Sequence, residues 1–389
     1  MELTHIRQRM RELAMDGWLL YDFLGRNPIP ARILELPAGM VSRRWFYWIP
    51  VTGAPCLIVH EIDRSHLVPP AGSRMLPYTN RHELAGRLRE VLAPGSRIAM
   101  EYSPMGALPT TSLVDAGTID SIRALQVEII GSEELVMDLT CRWDNAQKAA
   151  HAAAAMGIHE AVQAAFTHIR TTRSIRAVTE FEVQQVMTTH MAAAGLIWDH
   201  PPIVAFGPHT GDPHYAPALN RPYILQEPMP VLIDVWARRP EPTGVYADIT
   251  WMAHAGTMPD DRFMELFEIV LAARDRGMEF LAERSKAGLA TRGWEVDQAV
   301  RDHIDSRGYG RAFIHRTGHH LGTEAAHGPG ANLDNFETMD TRTLIPGLAF
   351  TIEPGIYLPE FGVRSEINVL LDDDGPRIIT AVQKELIFL

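Results

Sequence analysis

The sequence predicts a mixed α/β (α+β) chain built as two domains, 1–140 and 141–389. Three observations carry that reading. At 389 residues the chain is too long for one ordinary core. Near residue 140 short alternating strand and helix patterns give way to an alanine-rich stretch with helical spacing. Five candidate metal ligands then fall in the second part, on short Val- and Ile-rich runs between helices.

In the first part, FYWIPVTGAPCLIVHEID (46–63) reads as two strands joined by a turn at Thr52–Pro55. RHELAGRLREVL (81–92) reads as an amphipathic helix and SRIAMEY (97–103) as another strand. In the second part, 145–171 reads as a helix with Ala149, Ala153, Met156, Val162, Phe166 and Ile169 on its apolar side. Thr179 followed by Glu182 reads as a capping box opening a helix that runs to Ala194. Helices also fit 260–285 and 294–306, the second ending before Gly308. Residues 231–235 and 363–371 alternate like strands, and DDDG at 372–375 reads as a hairpin turn. The Pro-rich stretches 197–202 and 239–242 read as loops.

Bulk properties narrow the function. A net charge of −12, from 36 basic and 48 acidic residues, argues against nucleic acid or an anionic membrane as partner. No uncharged apolar run is long enough to span a membrane. Cys56 and Cys141 belong to no CxxC pattern, which argues against a disulfide framework and against a cysteine metal site. The N-terminus lacks the apolar core of a signal peptide, so a cytoplasmic location is expected.

The chemistry concentrates in four blocks: VLIDVWA (231–237), VYADITW (245–251), HRTGHHLG (315–322), and TIEPGIY with VRSEINVLL (351–357 and 363–371). They hold Asp234, Asp248, His319, Glu353 and Glu366. Four carboxylates and one imidazole form a ligand set for two divalent metal ions with shared carboxylates, a pair that makes hydroxide from water near neutral pH. Asp234 is expected to end a strand and Asp248 to lie in the next, a hairpin bringing them together. Glu353 is expected where Pro354 and Gly355 end a strand. Arg364 and Glu366 are two apart and are expected on one strand face, with Arg364 orienting a ligand carboxylate. One Asp at a strand end is usually a turn or cap residue. Two glutamates in apolar strands are harder to explain by packing, because a buried unpaired charge is costly. His319, following a glycine, is favoured as ligand over His320. His214, His315 and His327 are candidates to line a substrate pocket, although an isolated His is more often a core or loop residue. These residues point to a two-metal hydrolase, and among hydrolases to a peptidase.

In these blocks, matching in order and type, the sequence resembles the pita-bread metallopeptidases, the family of methionine aminopeptidase, aminopeptidase P and prolidase (Xaa-Pro dipeptidase). The resemblance covers 141–389 as a pita-bread catalytic domain, and 1–140 is similar to the creatinase/prolidase-type N-terminal domain that methionine aminopeptidases lack. It implies that Asp248 and Glu366 bridge two metal ions, that Asp234 completes one set of ligands, and that His319 and Glu353 complete the other. It further implies Glu353 as general base, His214 and His327 beside the tetrahedral intermediate, and His315 beside the residue after the scissile bond. The implied metals are Mn²⁺ first, with Zn²⁺ or Co²⁺ as alternatives. The implied substrate is a proline-containing di- or oligopeptide, and the implied assembly a homodimer. Three departures stand out. DITW replaces the usual DITRT, the His319–His327 segment is one residue longer than usual, and Met339 occupies the place where prolidases carry an arginine for the dipeptide carboxylate. The expected activity is that of a prolidase, with aminopeptidase P as the alternative and a non-peptidase or non-catalytic peptide-binding member as the remoter one.

Overall fold

The computed structural model describes residues 3–36, 41–256 and 258–389. The chain divides into two compact units, Met1–Thr140 and Cys141–Leu389. Among the described residues no helix is long and apolar enough to cross a membrane.

The first unit is a six-stranded mixed sheet covered on both faces. Its strands are β1 (Gly17–Asp22), β2 (Trp45–Pro50), β3 (Cys56–His60), β4 (Arg74–Tyr78), β5 (Arg97–Met100) and β6 (Glu128–Gly131), in the order β4-β3-β2-β1-β5-β6. Its helices are α1 (Leu3–Glu12), α2 (Pro28–Leu34), α3 (Arg81–Val91), α4 (Ala116–Arg123) and α5 (Glu133–Thr140). Alternation in β1 feeds two cores. Trp18 and Leu20 pack with Ile6, Met10, Ile33 and Leu135, whereas Leu19 and Tyr21 pack with Leu84, Leu88, Ile119 and Ile122. The strand expected over 97–103 stops at Met100, because Glu101 turns into the interior. Its carboxylate accepts from Trp18 Nε1 (2.7 Å), Asn27 Nδ2 (2.9 Å) and Ser132 Oγ (3.1 Å). Burial nevertheless dominates and pushes its pKa up to about 7.

The second unit opens with α6 (Asn145–Thr172) and α7 (Glu180–Ala193), continues through β7 (Ile203–Phe206), β8 (Met229–Ala237) and β9 (Ala247–Ala255), and then runs through α8 (Asp261–Lys286) and α9 (Gly293–Ser306). Short strands follow: β10 (Ala349–Ile352), β11 (Gly355–Tyr357), β12 (Gly362–Arg364), β13 (Ile367–Asp372), β14 (Gly375–Ile378) and β15 (Ile387–Phe388). The sheets are β15-β9-β8-β7, β10-β13-β14 and β11-β12. Val231, Ile233, Val235, Ile249 and Ala253 send one face of the first sheet into a core with α6 and α7. Leu232 and Met252 send the other face against α8, with Phe263, Leu266 and Phe267. Each such side chain contributes roughly 1.5–3 kcal/mol by leaving water.

Four sequence expectations need correction. The apolar stripe of α6 is misplaced in its first half: Ala149, Ala153 and Met156 face solvent, and His151, Ala154, Ala155 and Ile158 are buried. An alanine-rich helix offers no size contrast by which spacing can find its inner face. Thr179 caps α7 by accepting from Glu182 N (3.2 Å), but the Glu182 carboxylate bonds His168 and Arg176, so no reciprocal box forms. Asp234 does not end its strand, since β8 continues to Ala237. Residues 363–371 form two strands, not one, with Ser365 and Glu366 between β12 and β13. The hairpin at 372–375 forms as read, Asp372 pairing with Gly375.

Candidate metal centre

The β8–β9 register explains how the aspartates meet. Asp234 pairs with Thr250, and Trp236 pairs with Asp248. Side chains of directly paired residues point to the same face, and so do residues two apart. Asp234, Trp236, Asp248 and Thr250 therefore share the face that Leu232 and Met252 begin. That face is apolar under α8 and becomes polar where the helix no longer covers it.

The glutamates come from the β10-β13-β14 sheet and its margins. Glu353 follows directly after β10, its N–H bonded to Thr317 O (2.7 Å) and its Oε1 accepting from Thr351 Oγ1 (3.1 Å). Glu366 precedes β13, and its Oε2 accepts from Thr250 Oγ1 (2.9 Å). Asn368 stitches this element to β9: its Oδ1 accepts from Asp248 N (3.0 Å) and its Nδ2 donates to Asp248 O (2.6 Å).

His319 arrives on an extended segment lying against β10, with Thr351 N donating to His319 O (2.9 Å) and His319 N donating to Thr351 Oγ1 (2.9 Å). Gly318 permits this approach, since a Cβ there would sit 2.0 Å from the Thr351 carbonyl oxygen. His319 Nδ1 lies 3.2 Å from the His320 carbonyl, which can only accept. The hydrogen is therefore on Nδ1, and the Nε2 lone pair faces Asp248 Oδ2 (3.6 Å) and Glu353 Oε1 (3.5 Å). His320 turns the other way, its ring against Gly328 and Gly330.

Asp248, His319 and Glu366 offer ligand atoms within 4.8 Å of one another. Asp234 and Glu353 line the same cleft, as do His214, His315, His327 and Arg364. The cleft measures about 1170 Å³. The nine residues proposed from the sequence as ligands, catalytic groups or substrate contacts thus line one cleft, whereas His320 and Met339 are not among its lining residues. Its electrostatics are those of crowded carboxylates. Burial first, then the neighbouring acids, pushes Asp248 and Glu366 well above the usual carboxylate range. Burial takes Glu353 to about 7, and burial and the adjacent His327 push His319 down.

Arg364 is buried and donates to Asp234 Oδ2 (2.5 Å), Thr250 Oγ1 (3.0 Å) and the Tyr357 hydroxyl (3.0 Å). Tyr357 in turn meets His315 Nε2 (2.8 Å), whose Nδ1 bonds the Arg316 carbonyl (2.7 Å). Both nitrogens of His315 are thus engaged by protein, and burial holds the ring neutral with a pKa of about 3. His327 packs on His319 with ring centres 4.0 Å apart. Its Nδ1 lies 3.1 Å from Arg316 Nη2, which can only donate, so neutral His327 carries its hydrogen on Nε2. Desolvation and the Arg316 charge bring its pKa to about 4.

His214 sits on a segment held by Glu180, a buried residue in the first turn of α7. The Glu180 carboxylate accepts from Phe206 N (2.6 Å) and Tyr215 Oη (2.5 Å) and pairs with His209 Nδ1 (2.9 Å). The sequence reading missed Glu180, Thr250, Thr351, Tyr357 and Asn368. Thr250 and Thr351 carry a signal in retrospect, each lying two residues from an expected ligand and hence on its face.

The chain can now be set beside known proteins. Metallopeptidase family M24 matches residues 147–373, more than half of the chain. An uncharacterized peptidase of Bacillus subtilis, YqhT, is 38% identical over 147 residues, 38% of this chain and 38% of that protein. The Xaa-Pro dipeptidase of Pyrococcus furiosus is 36% identical over 142 residues, 36% of this chain and 37% of that protein. These alignments span well under half the length of those relatives. Among solved structures, the dipeptidase PepE of Mycobacterium ulcerans superposes with a TM-score of 0.73 over 99% of this chain and 96% of that one, at 21% identity. The architecture is thus that of the two-domain prolidase-like proteins. The chain belongs to metallopeptidase family M24, the pita-bread metallopeptidases.

Proposed function

We propose that this protein is a two-metal peptidase that hydrolyses Xaa–Pro bonds, with dipeptides as its first substrates. The observation that carries the reading is the state of the buried carboxylates. Among the described residues Asp234 Oδ1 and Glu366 Oε1 have no hydrogen-bond partner, and the acids around them repel one another. Divalent cations satisfy that arrangement, and the His319 Nε2 lone pair adds the one nitrogen donor. Asp248 and Glu366 would be shared between two ions, Asp234 would complete one set, and His319 with Glu353 the other. Mn²⁺ is the first choice, with Zn²⁺ or Co²⁺ as alternatives. When bound, the ions supply Lewis acidity and a water acidic enough to ionise near neutral pH.

The protein's own groups do the rest. Glu353 takes the proton of the attacking water and passes it to the proline nitrogen as the C–N bond breaks. His327 presents its Nε2–H to the oxygen that gains charge in the tetrahedral intermediate, and His214 approaches from the Glu180-anchored segment. His315, with both nitrogens engaged, offers ring surface to the residue after the scissile bond. Arg364 orients Asp234. The names of the Pyrococcus and Mycobacterium proteins favour dipeptides. Met339, neutral where prolidases carry an arginine, favours the alternative of an Xaa-Pro aminopeptidase. A cytoplasmic homodimer is part of the same reading.

The test is hydrolysis of Ala-Pro beside Ala-Pro-Ala by the Mn²⁺-loaded protein. Cleavage of Ala-Pro supports the dipeptidase, cleavage of the tripeptide alone makes it an aminopeptidase, and cleavage of neither refutes Xaa–Pro specificity.

A further inference from the structure

We propose that Arg316 binds the free carboxylate of a short peptide in the cleft, taking the part that Met339 cannot play. The inference rests on the peptidase reading above and names the residue that would set substrate length. It comes from asking which cation of the site is unspent. Arg342, three residues after Met339, is fully buried and committed to both Asp340 oxygens and to the carbonyls of Pro329 and Gly330. Two arginines line the cleft, Arg316 and Arg364. Arg364 is buried against Asp234, Thr250 and Tyr357. Arg316 differs from both. Among the described residues its guanidinium forms no ion pair, and its hydrogen bond is to the neutral His327 ring. A guanidinium has five N–H donors, and Arg316 lines the cleft with most of them left for a ligand.

The place also suits the role. His327 bridges Arg316 and His319, so the guanidinium stands one imidazole away from a candidate metal ligand. In a dipeptide the carboxylate carbon follows the scissile carbonyl by one residue, about 3.8 Å along the chain. In a longer substrate a neutral peptide carbonyl would stand there instead. The main chain beneath Arg316 is fixed. Its N–H donates to Glu337 Oε1 (3.1 Å), and the next N–H, of Thr317, donates to buried Asp297 (2.8 Å). A rigid base under a forked cation is the arrangement that pairs bidentately with a carboxylate.

The test compares two non-hydrolysable Ala–Pro analogues, with the scissile carbonyl reduced to methylene, one ending in a carboxylate and one in an amide. Their binding to Mn²⁺-loaded wild type, Arg316→Met and Arg316→Lys is measured by calorimetry. The expectation is that wild type prefers the acid by roughly tenfold or more, that Arg316→Met loses this preference while holding the amide within about twofold, and that Arg316→Lys keeps part of it. Equal weakening of acid and amide in Arg316→Met would mean that Arg316 serves only to hold His327, and would overturn the proposal. So would a wild type that does not distinguish acid from amide. Failure to hydrolyse both Ala-Pro and Ala-Pro-Ala would refute the Xaa–Pro specificity while leaving the binding comparison standing, so the two readings fail separately.

Discussion

Arg364 Nη2 donates to Asp234 Oδ2 across 2.5 Å, while Oδ1 of the same carboxylate is buried with no hydrogen-bond partner among the described residues. One oxygen is thus spent on orientation, and the other would be left for the proposed metal. Breaking a buried pair by removing one partner leaves an uncompensated charge. Arg364→Met should therefore destabilise the metal-free protein by about 3–5 kcal/mol. It should also weaken metal binding by roughly 10–100-fold, because Asp234 loses its orientation. Denaturant titration in EDTA and metal titration by calorimetry check the two halves.

Asp248→Asn should act in opposite senses with and without metal. Beyond burial, Asp234 and Glu353 raise the pKa of Asp248, and Asp248 in turn raises that of Glu366, so the metal-free fold carries repulsion that one neutral amide relieves. In EDTA the variant should match wild type or exceed it by about 1–3 kcal/mol. Adding Mn²⁺ at a hundred times Kd should stabilise wild type by about 2.7 kcal/mol and the variant far less. Peptidase activity of the variant should fall at least roughly a hundredfold. A variant that keeps both activity and the metal-dependent shift would remove Asp248 from the ligand set.

Glu101 makes the first unit sensitive to pH. Its folded pKa of about 7 lies above the ordinary glutamate value of 4.5, so the folded state binds more protons between those values. Its contribution is then fully present below 4.5 and is lost as pH rises towards 7, amounting to about 3 kcal/mol. Denaturation midpoints of wild type should drop across that window, after allowance for other groups. Glu101→Gln should flatten this part of the profile, and an unchanged profile would show that Glu101 ionises without cost.

Glu180 tests whether the His214 segment must be held. Glu180→Ala removes the acceptor shared by Phe206 N, His209 and Tyr215. It should cost about 1–3 kcal/mol for the groups left unsatisfied. Because it touches none of the five candidate ligands, bound metal measured by elemental analysis should be unchanged while kcat falls. Loss of metal together with kcat would show that the damage reaches the centre.

How much of this was legible beforehand follows from what each feature depends on. The carboxylates announced themselves because an Asp or Glu inside VLIDV or RSEIN contradicts the burial of its neighbours, and that contradiction is visible in the chain itself. Helix ends at Asn80, Asp144 and Asp260 follow local capping chemistry. The supporting shell was invisible for the converse reason. Asn368 and Tyr357 are ordinary strand residues, and they matter only through partners that the fold brings from afar: Asn368 and Asp248 are 120 residues apart, Tyr357 and His315 are 42. The inner face of α6 was lost because alanine fits either side.

The same distances bear on how the protein is made. Asp234 waits 130 residues for Arg364, and Asp248 waits nearly as long for the amide that clamps its main chain. At about 5–20 residues per second, translation leaves the β8–β9 hairpin on the ribosome for roughly 5–20 seconds with acidic side chains on its inner face and nothing to receive them. Cations cannot template that hairpin early, because the donors that complete the cage have yet to be synthesised. On the proposed ligand set, metal loading would be a late event, coupled to the closing of the last sheet, and C-terminal truncations that reach β13 should yield chains that neither hold metal nor finish folding.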